Sequence, residues 1–265
     1  MNKFIRLLGF EMDRFLKFLL PTLVISAVIQ LFVTFQSIFS YNNQLEKAAA
    51  LGEDITKMSN FDLTYITQSG LYELATMLII LVFIFYSSFT WYREWYGKNT
   101  FIYRLLMLPM NRSSIILSKS LVFILGGFLA FVFQFGMYFI QLQLSQWLIE
   151  STHYNALNIH NVYPMYGLFQ NVLFPKSMFE FFSRYSFAFA ALISLFTGII
   201  IERSFGLTGL IFGAIYFVSY FVVYGLLGAM VYSSTFPIAI RPSQAAILIV
   251  VYQILVILIG YFIGS

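Results

Sequence analysis

The sequence contains no cysteine, and this absence excludes several kinds of chemistry at once. Without a thiol the chain forms no disulfide, presents no cysteine nucleophile and offers no thiolate ligand to a metal. Charged residues are also scarce, at 10% of the chain, where an average soluble domain has about 25%. So few charges cannot cover a surface that faces water, and most of the surface must therefore face lipid or other protein.

The motifs of common enzymes are missing as well. No G-x-x-x-x-G-K-[ST] phosphate loop is present, so this chain does not bind ATP in that way. The two histidines, His153 and His160, lie near Glu150, but their spacing is only weak evidence for a metal site, and we expect none. Serine, histidine and aspartate do not fall together in an apolar segment, as an intramembrane hydrolase would require. We therefore expect a chain that is not itself an enzyme and binds no cofactor.

Apolar residues are abundant, at 60% of the chain, with a mean hydropathy of +0.83. A helix needs about 20 apolar residues to cross about 30 Å of hydrocarbon. The sequence therefore predicts an all-α polytopic membrane protein with one transmembrane domain, residues 1–265, and six spans. These spans are Phe18–Phe39, Leu71–Trp91, Leu121–Ile149, Met178–Ile201, Phe205–Tyr232 and Ser243–Ile263.

The distribution of lysine and arginine predicts the orientation, because positive residues favour the cytoplasmic side. Ten of the 15 lie on one side of the six predicted spans: Lys3, Arg6, Arg14, Lys17, Arg93, Lys98, Arg104, Arg112, Lys119 and Arg203. The other five are Lys47, Lys57, Lys176, Arg184 and Arg241. We expect a multi-pass protein of a prokaryotic plasma membrane, with both termini in the cytoplasm and outer loops at residues 40–70 and 150–177. The net charge is +4, but the basic residues cluster in two segments that flank apolar spans and do not form one patch, so no nucleic-acid partner is expected.

The segment before the first span has apolar residues at helical spacing. Phe4, Leu7, Leu8, Phe15 and Leu16 recur in this way, with charged residues between them. Residues 1–17 are therefore expected to form an amphipathic helix that lies in the cytoplasmic interface. The alternative interpretation is a basic flank that only fixes the topology.

The loop between the second and third spans, residues 92–120, carries the most informative pattern. The stretch from Thr100 to Leu108 is mostly apolar with Arg104 at its centre, and Gly97 and Pro109 stand near its two ends. This pattern predicts a short helix at the cytoplasmic surface. An apolar helix in that position needs a partner to cover it.

These residues resemble the membrane subunit of a type 2 ABC exporter. In that family an amphipathic N-terminal helix precedes the first span, and the next cytoplasmic loop has an acidic residue, a Gly-Thr turn, a short coupling helix and a Leu-Pro element. This chain departs from the pattern at the turn, where Lys98 and Asn99 separate Gly97 from Thr100. The residues that the resemblance assigns to coupling with an ATPase are Arg93, Glu94, Gly97, Thr100, Tyr103, Arg104, Leu108 and Pro109.

The resemblance implies several partners. Two copies of a separate ATPase subunit would bind ATP and Mg, and a second permease copy, or a similar permease, would complete the transporter in the lipid bilayer. The expected function is export of an amphipathic substrate, such as a hydrophobic peptide or an antimicrobial compound. The alternative is a membrane anchor or sensor that recruits a cytoplasmic partner and transports nothing.

Two sets of polar residues within the spans are candidates for lining a translocation path. Gln134, Tyr138 and Gln141 share one helix face, as do Tyr216 and Tyr220. The alternative interpretation is hydrogen bonding between helices for the first set, and an interface or core position for the second. Two glycines, Gly209 and Gly213, have the small-xxx-small spacing that permits close helix packing.

Overall fold

The computed structural model describes residues 3–52, 60–96, 113–149, 178–232 and 242–264, and these are almost entirely helical. The expected coupling helix and the second outer loop lie outside the described residues. In chain order the helices are α1 (Lys3–Ala50), α2 (Thr64–Thr67), α3 (Gly70–Tyr96), α4 (Ser113–Leu148), α5 (Met178–Tyr232) and α6 (Pro242–Gly264).

Helix α1 runs without interruption for 48 residues, about 72 Å at the usual helical rise. The sequence predicted an interfacial helix over residues 1–17 and a span from Phe18, but no break separates the two. The reason is local, because neither glycine nor proline occurs between residues 10 and 20. Pro21 lies inside the helix.

The end of α1 also differs from the predicted loop, which began at residue 40. An alanine-rich segment continues the helix to Ala50, as expected from its high helix propensity. The helix ends before Gly52, whose φ is 70° and whose amide donates a hydrogen bond to the carbonyl of Ala49. A glycine with positive φ is a common way to end a helix.

Helix α5 folds back on itself at Gly206, where φ is 63° and ψ is −132°. This conformation is open to glycine and strained for other residues. The two arms, residues 178–205 and 207–232, then pack against each other. A β-carbon at Gly213 would lie 2.4 Å from the carbonyl oxygen of Gly198, a closeness that a straight helix does not allow between these positions.

Within the described residues, four helical segments are long and apolar enough to cross a membrane: Phe4–Ala50, Gly70–Glu94, Ser114–Leu148 and Arg184–Leu227. Their outer surfaces are also apolar, since Val24 and Phe128 are each 63% exposed and Leu207 is 85% exposed. Surfaces of this kind are stable in hydrocarbon and not in water. The chain is therefore a membrane-embedded helical protein.

The chain divides into two compact units. The first unit contains Met1–Arg14, Ile84–Ile124 and Ser177–Ser265, and the second contains Phe15–Phe83 and Leu125–Lys176. In the first unit, α6 packs on α5, with the ring of Tyr252 stacked 5.8 Å from that of Tyr220. In the second unit, a core of aromatic and aliphatic residues includes Tyr72.

Candidate functional site

The first unit contains a cluster of four charged side chains, three of them buried, which is the strongest candidate site in the described residues. Helix α1 supplies Glu11 and Arg14, α3 supplies Glu94, and α4 supplies Lys119. Glu94 has no exposed surface, Lys119 is 1% exposed and Glu11 is 2% exposed. Burial of one charge is costly without a partner, so the geometry of the pairing decides whether this cluster is stable.

Lys119 lies at the centre of the charge cluster. Its ammonium nitrogen Nζ is 3.0 Å from Oε1 of Glu11 and 2.8 Å from Oε1 of Glu94. It is also 3.4 Å from the hydroxyl oxygen of Thr90, so all three N–H groups of the ammonium have an acceptor. The same nitrogen lies 5.4 Å from the ring centroid of Trp91, an arrangement that adds a cation–π attraction.

Arg14 supplies the second positive charge of the cluster, so that the charges of both carboxylates are balanced. Its Nη1 donates a hydrogen bond of 3.1 Å to Oε1 of Glu94 and lies 3.7 Å from Oε1 of Glu11. Two cations thus face two anions and the cluster is formally neutral. Oε2 of Glu94 is buried and has no hydrogen-bond partner among the described residues, so this carboxylate is only half satisfied.

The sequence assigned the loop of residues 92–120 to coupling, and two members of the cluster belong to that loop. Glu94 lies in the last turn of α3, and Lys119 lies in the second turn of α4. The ion pairs join these two helix ends to each other and to the N-terminal part of α1.

A second group of polar side chains lies in the same unit. The hydroxyl of Tyr92 donates a 2.7 Å hydrogen bond to Glu202, which precedes the turn of α5. Arg203 lies over the Tyr92 ring at 5.4 Å. Arg93 lies over the ring of Phe89 at 5.3 Å. Helix α3 is thereby joined to α5 at the end that leads into the predicted coupling segment.

The other residues predicted to couple with an ATPase lie outside the described residues: Gly97, Thr100, Tyr103, Arg104, Leu108 and Pro109. The weak histidine site also lies outside them, at Glu150, His153 and His160. Among the residues that the structure describes, no group of three or more histidine, aspartate or glutamate side chains is placed to hold a metal ion.

The first set of path candidates is buried in the second unit and takes part in a hydrogen-bond network. Nε2 of Gln30 on α1 donates to Oε1 of Gln134 at 3.1 Å, and Nε2 of Gln134 donates to the hydroxyl of Tyr72 on α3 at 3.0 Å. That hydroxyl donates a longer bond of 3.4 Å to Gln141. Tyr138, which is 3% exposed, lies on the same helix face. The network therefore bonds α1, α3 and α4 together.

The tyrosine pair on α5 lies among other aromatic rings of the first unit. The hydroxyl of Tyr220 donates a 3.0 Å hydrogen bond to the carbonyl of Phe187 in the other arm of α5. The hydroxyl of Tyr216 is buried with no hydrogen-bond partner in the part of the chain that the structure describes. The two residues thus differ, because Tyr220 joins the arms and Tyr216 retains a free polar group.

The predicted packing glycines lie where the two arms of α5 meet. A β-carbon at Gly209 would be 2.3 Å from the carbonyl oxygen of Ile201, and one at Gly213 would be 2.4 Å from that of Gly198. Contacts under 3.0 Å with backbone atoms require the backbone to move. Both positions thus allow the arms an approach that a larger residue would block.

Three members of the charge cluster were not among the predicted site residues: Glu11, Arg14 and Lys119. The sequence analysis counted Arg14 and Lys119 among the basic residues that set the topology, and it placed Glu11 among the charged residues of the N-terminal amphipathic helix. A usable signal was present at Lys119, which stands within the largely apolar stretch ILSKSLVF. A charged residue in such a position is expected to have a partner of opposite charge.

No known protein family, no curated protein and no solved structure matches this chain. The resemblance to ABC exporters therefore depends on the pattern of the sequence alone. The functional argument has to come from the geometry of the charge cluster and of the helices that carry it.

Proposed function

We propose that the chain is the permease subunit of an ATP-driven exporter of the type 2 ABC kind. It moves an amphipathic substrate across the plasma membrane and works with a second copy or a similar permease. Separate ATPase subunits bind the segment of residues 97–112 on the cytoplasmic side and supply ATP and Mg. The energy of hydrolysis enters this chain through that contact.

The observation that carries the proposal is the charge cluster around Lys119. Burying ion pairs is often less favourable than burying apolar side chains of the same volume, so stability alone does not account for the three buried charges and the partly buried Arg14. Charged residues near membrane depth are functional candidates by default. A cluster that joins Glu94, Lys119 and the first turns of α1 is suited to carrying movement from a docking loop into the helices.

Six spans with both termini in the cytoplasm are part of the proposal. The turn at Gly206 divides α5 into two arms, each long enough for about 30 Å of hydrocarbon. Helix α6, with 23 residues, adds a sixth segment of sufficient length. Residues 97–112 and the turn of α5 then fall on the same side of the membrane.

An amphipathic substrate follows from the composition of the chain. Aromatic residues make up 20% of the sequence, with 32 phenylalanines and 18 tyrosines. Tyrosine combines an apolar ring with a hydroxyl group and so contacts both parts of such a molecule. A hydrophobic peptide or an antimicrobial compound has this character.

The first test is purification of the tagged protein in mild detergent, with identification of the chains that accompany it. We expect a stoichiometric ATPase, and we expect the Tyr103→Ala, Leu106→Ala double variant to lose it. The matched control is Tyr163→Ala in the second outer loop, which should retain the ATPase. Recovery of a pure oligomer without ATPase would contradict the exporter and favour the anchor or sensor.

The coupling function of the cluster needs a separate measurement. Glu94→Gln keeps the size of the side chain and removes its charge, so the ATPase should remain bound. We expect substrate transport per ATP hydrolysed in vesicles to fall about tenfold, the effect of losing roughly 1.4 kcal/mol of coupling. Glu73→Gln, in the first turn of the same helix, is the control. Unchanged transport in Glu94→Gln would contradict a coupling role.

A further inference from the structure

The second unit contains a groove on its apolar surface, between α1 and α3. The groove has a volume of about 570 Å³, and the described side chains that line it are all apolar, among them Val28, Phe32, Leu74 and Leu78. Val28 is 63% exposed and Phe32 is 60% exposed, so the groove opens to the exterior of the unit. These residues belong to apolar helices that are able to span a membrane, and the medium they meet is hydrocarbon.

A polar pocket adjoins this groove. It has a volume of about 230 Å³, and Leu71 lines both the pocket and the groove. Its walls include Gln36, Ser40 and Gln44 on one face of α1, together with Tyr41, Tyr65 and Ser69. Amide and hydroxyl groups of this kind both donate and accept hydrogen bonds.

Among the described residues that line the pocket, none is an aspartate, glutamate, lysine or arginine. These lining residues offer no counter-charge to a charged headgroup, whereas anionic lipids are normally recognised by lysine and arginine. The volume is below the roughly 300 Å³ of the smallest pockets for drug-sized ligands, so it suits a single small polar group. The chemistry therefore favours a neutral group with several hydroxyls.

We propose that the groove and the pocket together form a binding site for a lipid with an uncharged, hydroxyl-rich headgroup, the class to which glycolipids belong. The hydrocarbon chain lies along Val28 and Leu74, and the headgroup takes hydrogen bonds from Gln36, Ser40 and Gln44. Because Leu71 lines both the groove and the pocket, a hydrocarbon chain in the groove can be linked covalently to a headgroup in the pocket. This site depends on membrane embedding and not on the proposed ATPase partner.

The test uses the full chain reconstituted with equal amounts of phosphatidylcholine, phosphatidylglycerol, diacylglycerol and monoglucosyl diacylglycerol, then extracted in mild detergent. Mass spectrometry measures the lipid that remains bound. We expect the glucolipid to be enriched by at least about fivefold over each of the others, the effect of one or more satisfied hydrogen bonds. Equal enrichment of diacylglycerol or of phosphatidylglycerol would overturn the assignment of the headgroup.

Two pairs of variants test the location of the site. Val28→Trp fills the groove and should abolish the enrichment, whereas Val24→Trp, at a valine with the same 63% exposure one turn away, should not. Gln44→Leu removes a polar group of the pocket, and Gln68→Leu is its control outside the pocket. Equal effects within either pair would overturn the proposed location.

The remaining measurements separate the lipid from other occupants. If free methyl glucoside displaces the glucolipid completely, the pocket is a sugar site and the lipid assignment is wrong. If Val28→Trp changes the oligomeric state in detergent and not the bound lipid, the groove is a contact between copies of the chain, and the proposal is again wrong. Neither result bears on ATPase recovery, which tests the proposed function separately.

Discussion

Lys119 is the residue of the charge cluster whose side chain is held by the most contacts. Its ammonium group contacts two carboxylates and one hydroxyl, and its side chain is 1% exposed. Removal of this one cation would leave Glu11 and Glu94 buried side by side with only Arg14 to balance them. The loss of one partner from a buried pair commonly costs about 3–5 kcal/mol.

We therefore expect Lys119→Met to lower the free energy of unfolding by about 3–5 kcal/mol, measured as thermal stability in detergent. Methionine preserves most of the volume, so the effect reports on the charge. Lys17→Met is the control, because Lys17 is exposed on α1 and should change stability by less than about 0.5 kcal/mol. Equal stability of the two variants would show that the ion pairs contribute nothing.

A double variant separates charge from packing. Lys119→Met combined with Glu94→Gln removes one cation and one anion, so the balance between Glu11 and Arg14 is restored. We expect this double variant to be more stable than Lys119→Met alone, since neighbouring sites of one network are not additive. A double variant less stable than either single one would indicate a packing role.

The sequence identified one member of the cluster and not the others. Glu94 was selected as the acidic residue that the resemblance to type 2 ABC exporters implies, and the structure places it in the ion pairs. Glu11 and Lys119 are far apart in the chain, and only the packing of α1 against α4 brings them within 3.0 Å. A contact of this kind follows from the fold and not from a local pattern, so a single sequence does not reveal it.

At the scale of the helices, the hairpin in α5 is the element that depends most clearly on particular residues, its glycines. Gly198 and Gly213 face each other across the two arms, at a distance that excludes a side chain on Gly213 and leaves little room for one on Gly198. The spacing of Gly209 and Gly213 indicated close packing, but the facing partner Gly198 was not predicted. Its position depends on the turn at Gly206, which the periodicity of the sequence does not fix.

We expect Gly213→Ala to destabilise the hairpin by about 1–3 kcal/mol, the usual cost of overpacking. Its β-carbon would lie 2.4 Å from a backbone oxygen, and a backbone atom cannot move aside as a side chain does. Gly225→Ala, on the same arm with nothing within 4 Å, is the matched control. Thermal unfolding of both variants in detergent checks this, and a similar fall in Gly225→Ala would refute the packing argument.

The sequence predicted where the helices lie better than it predicted where they end. The apolar runs indicated where helices lie, because a run of about 20 such residues has few alternatives in a membrane. The limits of α1 depended instead on where the chain first meets a helix-ending residue, and this is Gly52 and not residue 40. In the same way, α4 begins at Ser113, before the first apolar residue of the predicted span.

At the scale of the whole molecule, the proposed six spans assign each loop to one side of the membrane. The absence of cysteine makes this directly testable, because every introduced cysteine is then the only one in the chain. Ser59, Ser151 and Ser234 lie in the three proposed outer loops, and Asn99 lies in the coupling segment. Ser204 lies beside the turn of α5, where its hydroxyl is exposed.

We expect a membrane-impermeant maleimide to label Ser59→Cys, Ser151→Cys and Ser234→Cys in intact cells. Asn99→Cys and Ser204→Cys should react only after the membrane is opened, because positive residues hold their neighbours on the cytoplasmic side. Ser204→Cys decides the span count. If both arms of α5 cross the bilayer, the turn between them lies on the other side of the membrane from Ser151 and Ser234. Labelling of Ser204→Cys in intact cells would contradict the proposal that each arm of α5 spans the membrane. It would also place Glu202 on the side opposite to the one proposed for the ATPase.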